Sequence, residues 1–248
     1  MPDRTAPWPR RPASAPAAHV SRHHAANGKL RWLTTLAPEA AAAYEAAVAQ
    51  VVPAVERRLG PGVMADRARA PWGVPSVRLA PWGAARRRWH TAGLHGLRGG
   101  TRALVLTDVR DCFASITPAL VRRALTEAGA PPEAVTGVLG CLEGFHEAGV
   151  VGLPVGPVPS AVLANAALAA FDEALRSCGV PSLRWVDDVA AFAPSAAAAR
   201  DALDTLRRTS DATGLDLHDA KTRIVLEPQE ARAIMGGSNS PGAGAGVA

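Results

Sequence analysis

The chain has 248 residues, of which 48% are apolar and 20% charged, with a net charge of +5 and a pI near 9.8. That is enough apolar material for one sizeable core, or two subdomains sharing one. It lacks an uncharged apolar run long enough to predict a membrane span, and its first residues lack the apolar segment of a secretory signal. Cys112, Cys141 and Cys178 stand singly, without zinc-ligand or disulfide-framework spacing, so reduced thiols in a cytoplasm are expected. The basic charge fits a polyanionic partner, or equally a high-GC composition that inflates Ala, Arg, Gly and Pro throughout. The charge is carried almost wholly by arginine, the only lysines being Lys29 and Lys221.

Residues 1–28 mix Pro, Ala, Arg and His without periodicity and read as a disordered basic arm. Pro38 to about Leu59 reads as an Ala-rich helix interrupted at Pro53 and closed by Gly60. Residues 61–100 give only short strands or turns and a basic stretch, Arg86 to His90. Ala103-Leu-Val-Leu-Thr107 is a short apolar run ending in Asp108, the pattern of a buried strand with a carboxylate at its end. Thr117-Pro118 begins a helix that Gly129 closes, and a second helix is predicted over Pro132 to Glu147. A longer helix follows Pro159, with Ala164, Leu168, Phe171, Leu175 and Cys178 at steps of four and three. Leu183 to Phe192 reads as a hairpin with Asp187 and Asp188 at its tip. Ser195 to Thr213 is helical again, Leu215 to Leu226 is strand and turn, and residues 236–248 have the composition of a flexible tail. The order predicts an α+β fold with helices packed on one face of a mainly antiparallel sheet.

An Asp-Asp pair alone is as compatible with a polar turn as with a site. Here it lies between Trp185-Val186 and Val189-Ala190, inside an apolar hairpin. If Asp108 approaches that tip, three carboxylates share one place. Two unit charges about 4 Å apart repel by roughly 4 kcal/mol at an effective dielectric near 20. Protonation or a metal must relieve this, and an oxygen-only site suits Mg²⁺. A pair of such ions supports phosphoryl transfer.

Four segments then carry a resemblance. LVLTDVRDCF (104–113) resembles motif A of reverse transcriptases, GLPVGPVPSAVLAN (152–165) their motif B, RWVDDVAAFA (184–193) motif C and GLDLHDAKTRIVL (214–226) motif D. The resemblance implies a fingers–palm fold: an antiparallel palm sheet backed by helices at 101–235, a fingers-like region at 29–100, and an absent or minimal thumb. It implies RNA-directed DNA polymerase activity with two Mg²⁺ ions (Mn²⁺ as an alternative), dNTPs and an RNA or DNA template-primer. Asp108, Val109, Asp187 and Asp188 would hold the metals. Arg110, Asp111, Cys112 and Phe113 would lie under the nucleotide, with Phe113 either excluding a ribose 2′-hydroxyl or serving as core. Val155, Gly156 and Ser160 would belong to the loop beneath the base, and Asn165 to the same loop or to structure alone.

Lys221 matches the motif D lysine, a general acid to pyrophosphate or else a solvated side chain. Arg67, Arg69, Arg78, Arg86, Arg87 and Arg88 are the candidates for nucleic-acid contact, and Ala231 to Gly237 for a degenerate primer-grip turn. Val155 replaces the usual glutamine and Trp185 the usual tyrosine. The GLPVGP loop is similar to that of bacterial abortive-infection and defence-associated enzymes, which implies an anti-phage role. The absent thumb and Val155 keep open untemplated or protein-primed synthesis, and a partner protein or RNA that supplies thumb function. A catalytically idle palm that binds nucleic acid is the reading from another class, and the intact carboxylates oppose it. Phe113 opposes an RNA polymerase, and the lack of a Gly-Gly-Asp-Glu turn opposes a cyclase.

Overall fold

The structure, a computed structural model, describes residues 18–24, 30–72 and 76–237. In chain order the elements are β1 (Ala18–His24), β2 (Leu30–Leu36), α1 (Pro38–Arg58), α2 (Trp82–Arg98), β3 (Ala103–Asp108), α3 (Cys112–Ser115), α4 (Pro118–Glu127), α5 (Pro132–Glu147) and α6 (Val158–Ser177). There follow β4 (Ser182–Trp185), β5 (Asp188–Ala193), α7 (Ala196–Thr213), a 3₁₀ turn (Asp219–Lys221), β6 (Arg223–Val225) and α8 (Pro228–Gly236). An antiparallel sheet in the order β4-β5-β3-β6 lies at the centre.

Both faces of that sheet are covered, which corrects the expectation of helices on one face. Val105 of β3 with Val189 and Ala191 of β5 pack towards α6 and α7, joining a core that α1, α4 and α5 extend. The alternate residues Leu104, Ala190 and Phe192 pack towards α2 and α8, against Trp89, Ile234 and Met235. Strand residues point alternately to opposite faces, so a strand covered on both sides reads as a continuous apolar run. That is the physical origin of the Ala103–Thr107 pattern. α2 comes close because its contact side carries glycine: a Cβ at Gly96 would press on the Phe192 ring, and one at Gly93 on Met235.

Four other expectations change. Ala18–His24 is a strand paired antiparallel with β2 rather than part of a disordered arm, while residues 1–17 lie outside those described. α1 runs unbroken through Pro53, because Tyr44, Val48, Val51, Val52 and Val55 bury its inner face against α5 and α6. That packing outweighs a proline's roughly 3 kcal/mol penalty. The basic stretch Arg86–His90 lies inside α2. Ala231 to Gly236 is the end of helix α8, and Gly237 is its left-handed cap. The expected tail falls mostly outside the described residues, from 238 onward. α6 has the length and apolarity to cross a membrane, but the surrounding helices bury most of it.

Candidate active site

β3 ends in Asp108, and its register partner across the ladder is Asp188, the first residue of β5. Val186 and Asp187 form the two-residue turn between β4 and β5, and Trp185 pairs with Asp188 to close it. Val186 has φ of 54°, a conformation that a β-branched residue adopts only under constraint, at a cost of order 1–3 kcal/mol. The next backbone step fixes the tip: the Val109 N–H donates to the Asp187 carbonyl at 3.3 Å. The result is a group in which Asp108, Asp187 and Asp188 each offer an oxygen within 4.8 Å of the others.

Asp108 is buried, and Asp187 and Asp188 are partly so. Burial, then the charges of Asp187 and Asp108, push the Asp188 carboxyl up to about 7, against a smaller opposing pull from Lys221. Lys221 Nζ donates to Asp108 Oδ2 at 2.6 Å. Burial draws the Lys221 ammonium down, but the hydrogen bond to Asp108 and the three carboxylate charges outweigh it and hold it above its ordinary range. The segment bearing Lys221 is stitched to β3. His218 N–H donates to the Asp108 carbonyl at 2.7 Å, Arg110 N–H to the Asp216 carbonyl at 2.8 Å, and the Thr107 and Thr222 hydroxyls bond at 2.7 Å. Asp108 and Asp188 open on a cavity of about 310 Å³ between the sheet and α2 and α8, lined also by Trp89, Thr107, Lys221, Arg223 and Ile234 among others.

On the other side of Asp108, Asp111 takes a left-handed φ of 46° and leads into α3. Arg110 is half exposed and lies 3.8 Å from Asp219. Phe113 is partly buried, and its carbonyl accepts the Leu153 N–H at 2.8 Å. Here the loop before α6 locks on. Gly152 has φ of 68°, and a Cβ there would run into the Phe113 and Ala114 carbonyls, so only glycine fits. The loop is tied on its far side as well: Thr34 N–H donates to the Val155 carbonyl at 2.8 Å, and Val155 N–H to Thr34 Oγ1 at 3.3 Å. Gly156, with φ of 116°, is exposed beside it.

Three of the expected contact residues are turned inward. The Ser160 side chain is fully buried, its hydroxyl 3.0 Å from Tyr44 Oη, so it cannot reach a nucleotide. The Cys112 thiol is buried too, and burial raises it far above the ordinary thiol range, leaving only its backbone to face a ligand. Arg67 is committed to the fold, donating to buried Glu56 at 2.7 Å and to the Gly60 carbonyl at 3.0 Å. Arg69 and Arg78 are exposed and oppose one another on a short ladder, with Arg69 N–H donating to the Arg78 carbonyl at 2.7 Å. Arg87 and Arg88 are exposed on α2. Arg86 lies over the rings of Trp82 and Trp185, at 5.2 and 6.0 Å. Asn165 has a structural role: its Nδ2 donates to the Asp66 carbonyl at 3.0 Å, and its Oδ1 accepts from Arg184 at 2.8 Å. Arg184 and Asp172, which bond through both carboxylate oxygens, escape a motif-based reading. The available signal was an arginine in an otherwise apolar strand, Leu183-Arg184-Trp185.

A sheet with paired carboxylates at adjoining strand ends, covered by helices and flanked by a lysine, is the palm of a nucleotidyltransferase. Compared with known families, the chain matches Reverse transcriptase (RNA-dependent DNA polymerase) over residues 68–236. The match spans more than half of the chain, which therefore belongs to the reverse transcriptase family. No curated protein matches it.

Proposed function

We propose that the chain is an RNA-directed DNA polymerase that joins dNTPs to a primer 3′-hydroxyl at Asp108, Asp187 and Asp188. The observation that carries this is the approach of the three carboxylates to within 4.8 Å. An all-oxygen donor set whose members repel one another fits a hard divalent cation, Mg²⁺ or Mn²⁺, with Val109 supplying a backbone oxygen beside them. Two such ions, when bound, supply Lewis-acid stabilisation of the attacking and leaving oxygens. The 3′-oxygen bonds to the α-phosphorus as the bond to pyrophosphate breaks, and the hydroxyl proton passes to solvent. Lys221 keeps its proton at neutral pH because the neighbouring carboxylates hold it there, and it delivers that proton to the leaving pyrophosphate oxygen. Phe113, partly buried and with its carbonyl bonded to the Leu153 N–H, serves as the gate that excludes a ribose 2′-hydroxyl.

Exposed Arg69, Arg78, Arg87 and Arg88 serve the phosphate backbone of template and primer. Arg86 with Trp82 offers a stacking edge beside the catalytic hairpin. The Gly152–Pro157 loop resembles that of defence-associated enzymes and supports an anti-phage role. Primer extension by the purified protein with Mg²⁺ or Mn²⁺ tests the reading, comparing dNTPs with NTPs in the presence and absence of template. Template-dependent dNTP incorporation is expected. Template-free incorporation would move the assignment to untemplated synthesis, and no incorporation with either metal would overturn it.

A further inference from the structure

Arg184 is the only arginine or lysine among the described residues that is buried, and its side chain has no exposure at all. Its strand neighbours Leu183 and Trp185 pack towards α2, so Arg184 points to the other face of the sheet, under α6. There Asn165 and Asp172 lie two turns apart on one side of that helix. Asp172 receives Nε at 3.0 and 3.1 Å and Nη2 at 2.8 Å. Nη1 divides between Asn165 Oδ1 at 2.8 Å and the Val186 carbonyl at 2.9 Å. Thus the planar fork, held on one edge by a carboxylate, grips the one residue of the hairpin whose backbone is left-handed. Val186 immediately precedes Asp187.

The same residue reaches the segment before α2. Arg184 N–H donates to the Gly62 carbonyl at 2.9 Å, and its carbonyl accepts from Met64 N–H at 2.9 Å. Asn165 extends the link by donating to the carbonyls of Ala65 at 3.3 Å and Asp66 at 3.0 Å. Every polar atom of the guanidinium is therefore spent on geometry.

We propose that Arg184 is a positioning residue of the polymerase site: locked by Asp172 and Asn165, it holds the Val186 turn that aims Asp187 at Asp108, and it makes residues 62–66 and the hairpin tip one unit. This rests on the reading of Asp187 as a metal ligand, but it is testable apart from it. A lysine keeps the charge and loses the fork, so Arg184→Lys is the direct variant. Asn165→Ala spares the buried ion pair and serves if that variant fails to fold. Amide hydrogen exchange on the metal-free protein reads the tip itself, through the Val109 amide that donates to Asp187.

In both variants the amides of 62–66 and those of 109 and 186–189 should exchange at least tenfold faster together, with α5 and α7 unchanged. Acceleration confined to 62–66, or none, would overturn the coupling. Mn²⁺ affinity should fall at least fivefold while KM for dNTP stays within twofold. Unchanged affinity in a folded Arg184→Lys protein would also overturn the proposal. A wild-type protein that binds no Mn²⁺ would instead defeat the metal reading, and the exchange data would still decide the positioning.

Discussion

Residues 103–193 are held by repetition, whereas residues 60–72 and 76–80 are held by a few backbone bonds and single side chains. β3 has six consecutive register pairs with β5 and helices over both faces, so no one bond decides its path. Among its described residues, the segment between α1 and α2 pairs through the isolated bridges Val63 with Arg184 and Ala68 with Leu79. It is pinned from outside: Glu56 accepts the Ala68 N–H and pairs with Arg67, Glu45 accepts the Val77 N–H, and Asn165 donates to Ala65 and Asp66. The difference explains where the chain can place a cluster of mutually repelling carboxylates. Strain of a few kcal/mol is tolerated where redundant contacts define the backbone; Asp108 and Asp188 stand on that ladder, and the turn carrying Asp187 is fastened to it through Arg184. The arginine-rich region has no acidic residue between Asp66 and Asp108, and Arg69, Arg78, Arg87 and Arg88 stay exposed there while Arg67 is spent on Glu56.

Two substitutions should separate the halves by opposite effects. Asp187→Ala should lower incorporation at least about 1000-fold, a loss typical of removing a group that holds charge in the transition state, with the thermal transition intact. A folded variant that still extends primers would break the assignment. Glu56→Gln should do the reverse, costing about 3 kcal/mol in urea denaturation because it leaves Arg67 without its carboxylate. Its damage should be confined to rapid exchange over residues 60–80; a change below about 0.5 kcal/mol would show that those residues are held otherwise.

Phe113→Ala should narrow the preference for dNTPs over NTPs roughly tenfold or more, about 1.4 kcal/mol of lost exclusion. An unchanged ratio would leave the ring as core. Arg87→Glu with Arg88→Glu should weaken binding to a primer–template about tenfold and reduce the slope of log K against log salt by about 2. Equal binding would move the polyanion contact off α2.

The smallest effect concerns pH. Asp188 binds its proton more tightly in the folded chain than an ordinary carboxyl does, being raised to about 7. Its contribution to stability is therefore full below the usual carboxylate range and is lost as pH rises towards and through about 7. Asp188→Asn should remove that slope, raising the midpoint at pH 8 by a few degrees relative to the parent. Parallel pH profiles would contradict the repulsion inferred among the three aspartates.

How far these features could be read from the chain follows from the same contrast. The Pro132–Glu147 helix and the strand ending at Asp108 have local signatures, a proline-started helix and an apolar run. The meeting of Asp108 with Asp188 has none: it depends on an antiparallel register between residues eighty apart, and only the resemblance of the flanking motifs pointed to it. α2 was obscured by the charged run Arg86–Arg88 and by Gly93 and Gly96, glycines that weaken a helix but let it sit close on Met235 and Phe192. Its buried Ala85, Trp89 and Gly93, at steps of four, were the periodic signal. β1 was hidden because its composition resembles that of a disordered arm, and its pairing with β2 leaves no local signature in the chain. Ser160 and Arg67 were misjudged for one reason: a polar side chain next to a motif can still be consumed by a buried partner, Tyr44 or Glu56, that lies far away in sequence.

The central claim is that three remote aspartates form one divalent-cation site. Mn²⁺ titration followed by electron paramagnetic resonance, on the intact chain with and without dATP, tests it most directly. Two ions bound per chain with nucleotide present are expected, reduced to weak or no binding in Asp187→Ala. Equal Mn²⁺ binding by the parent and the variant would contradict the account.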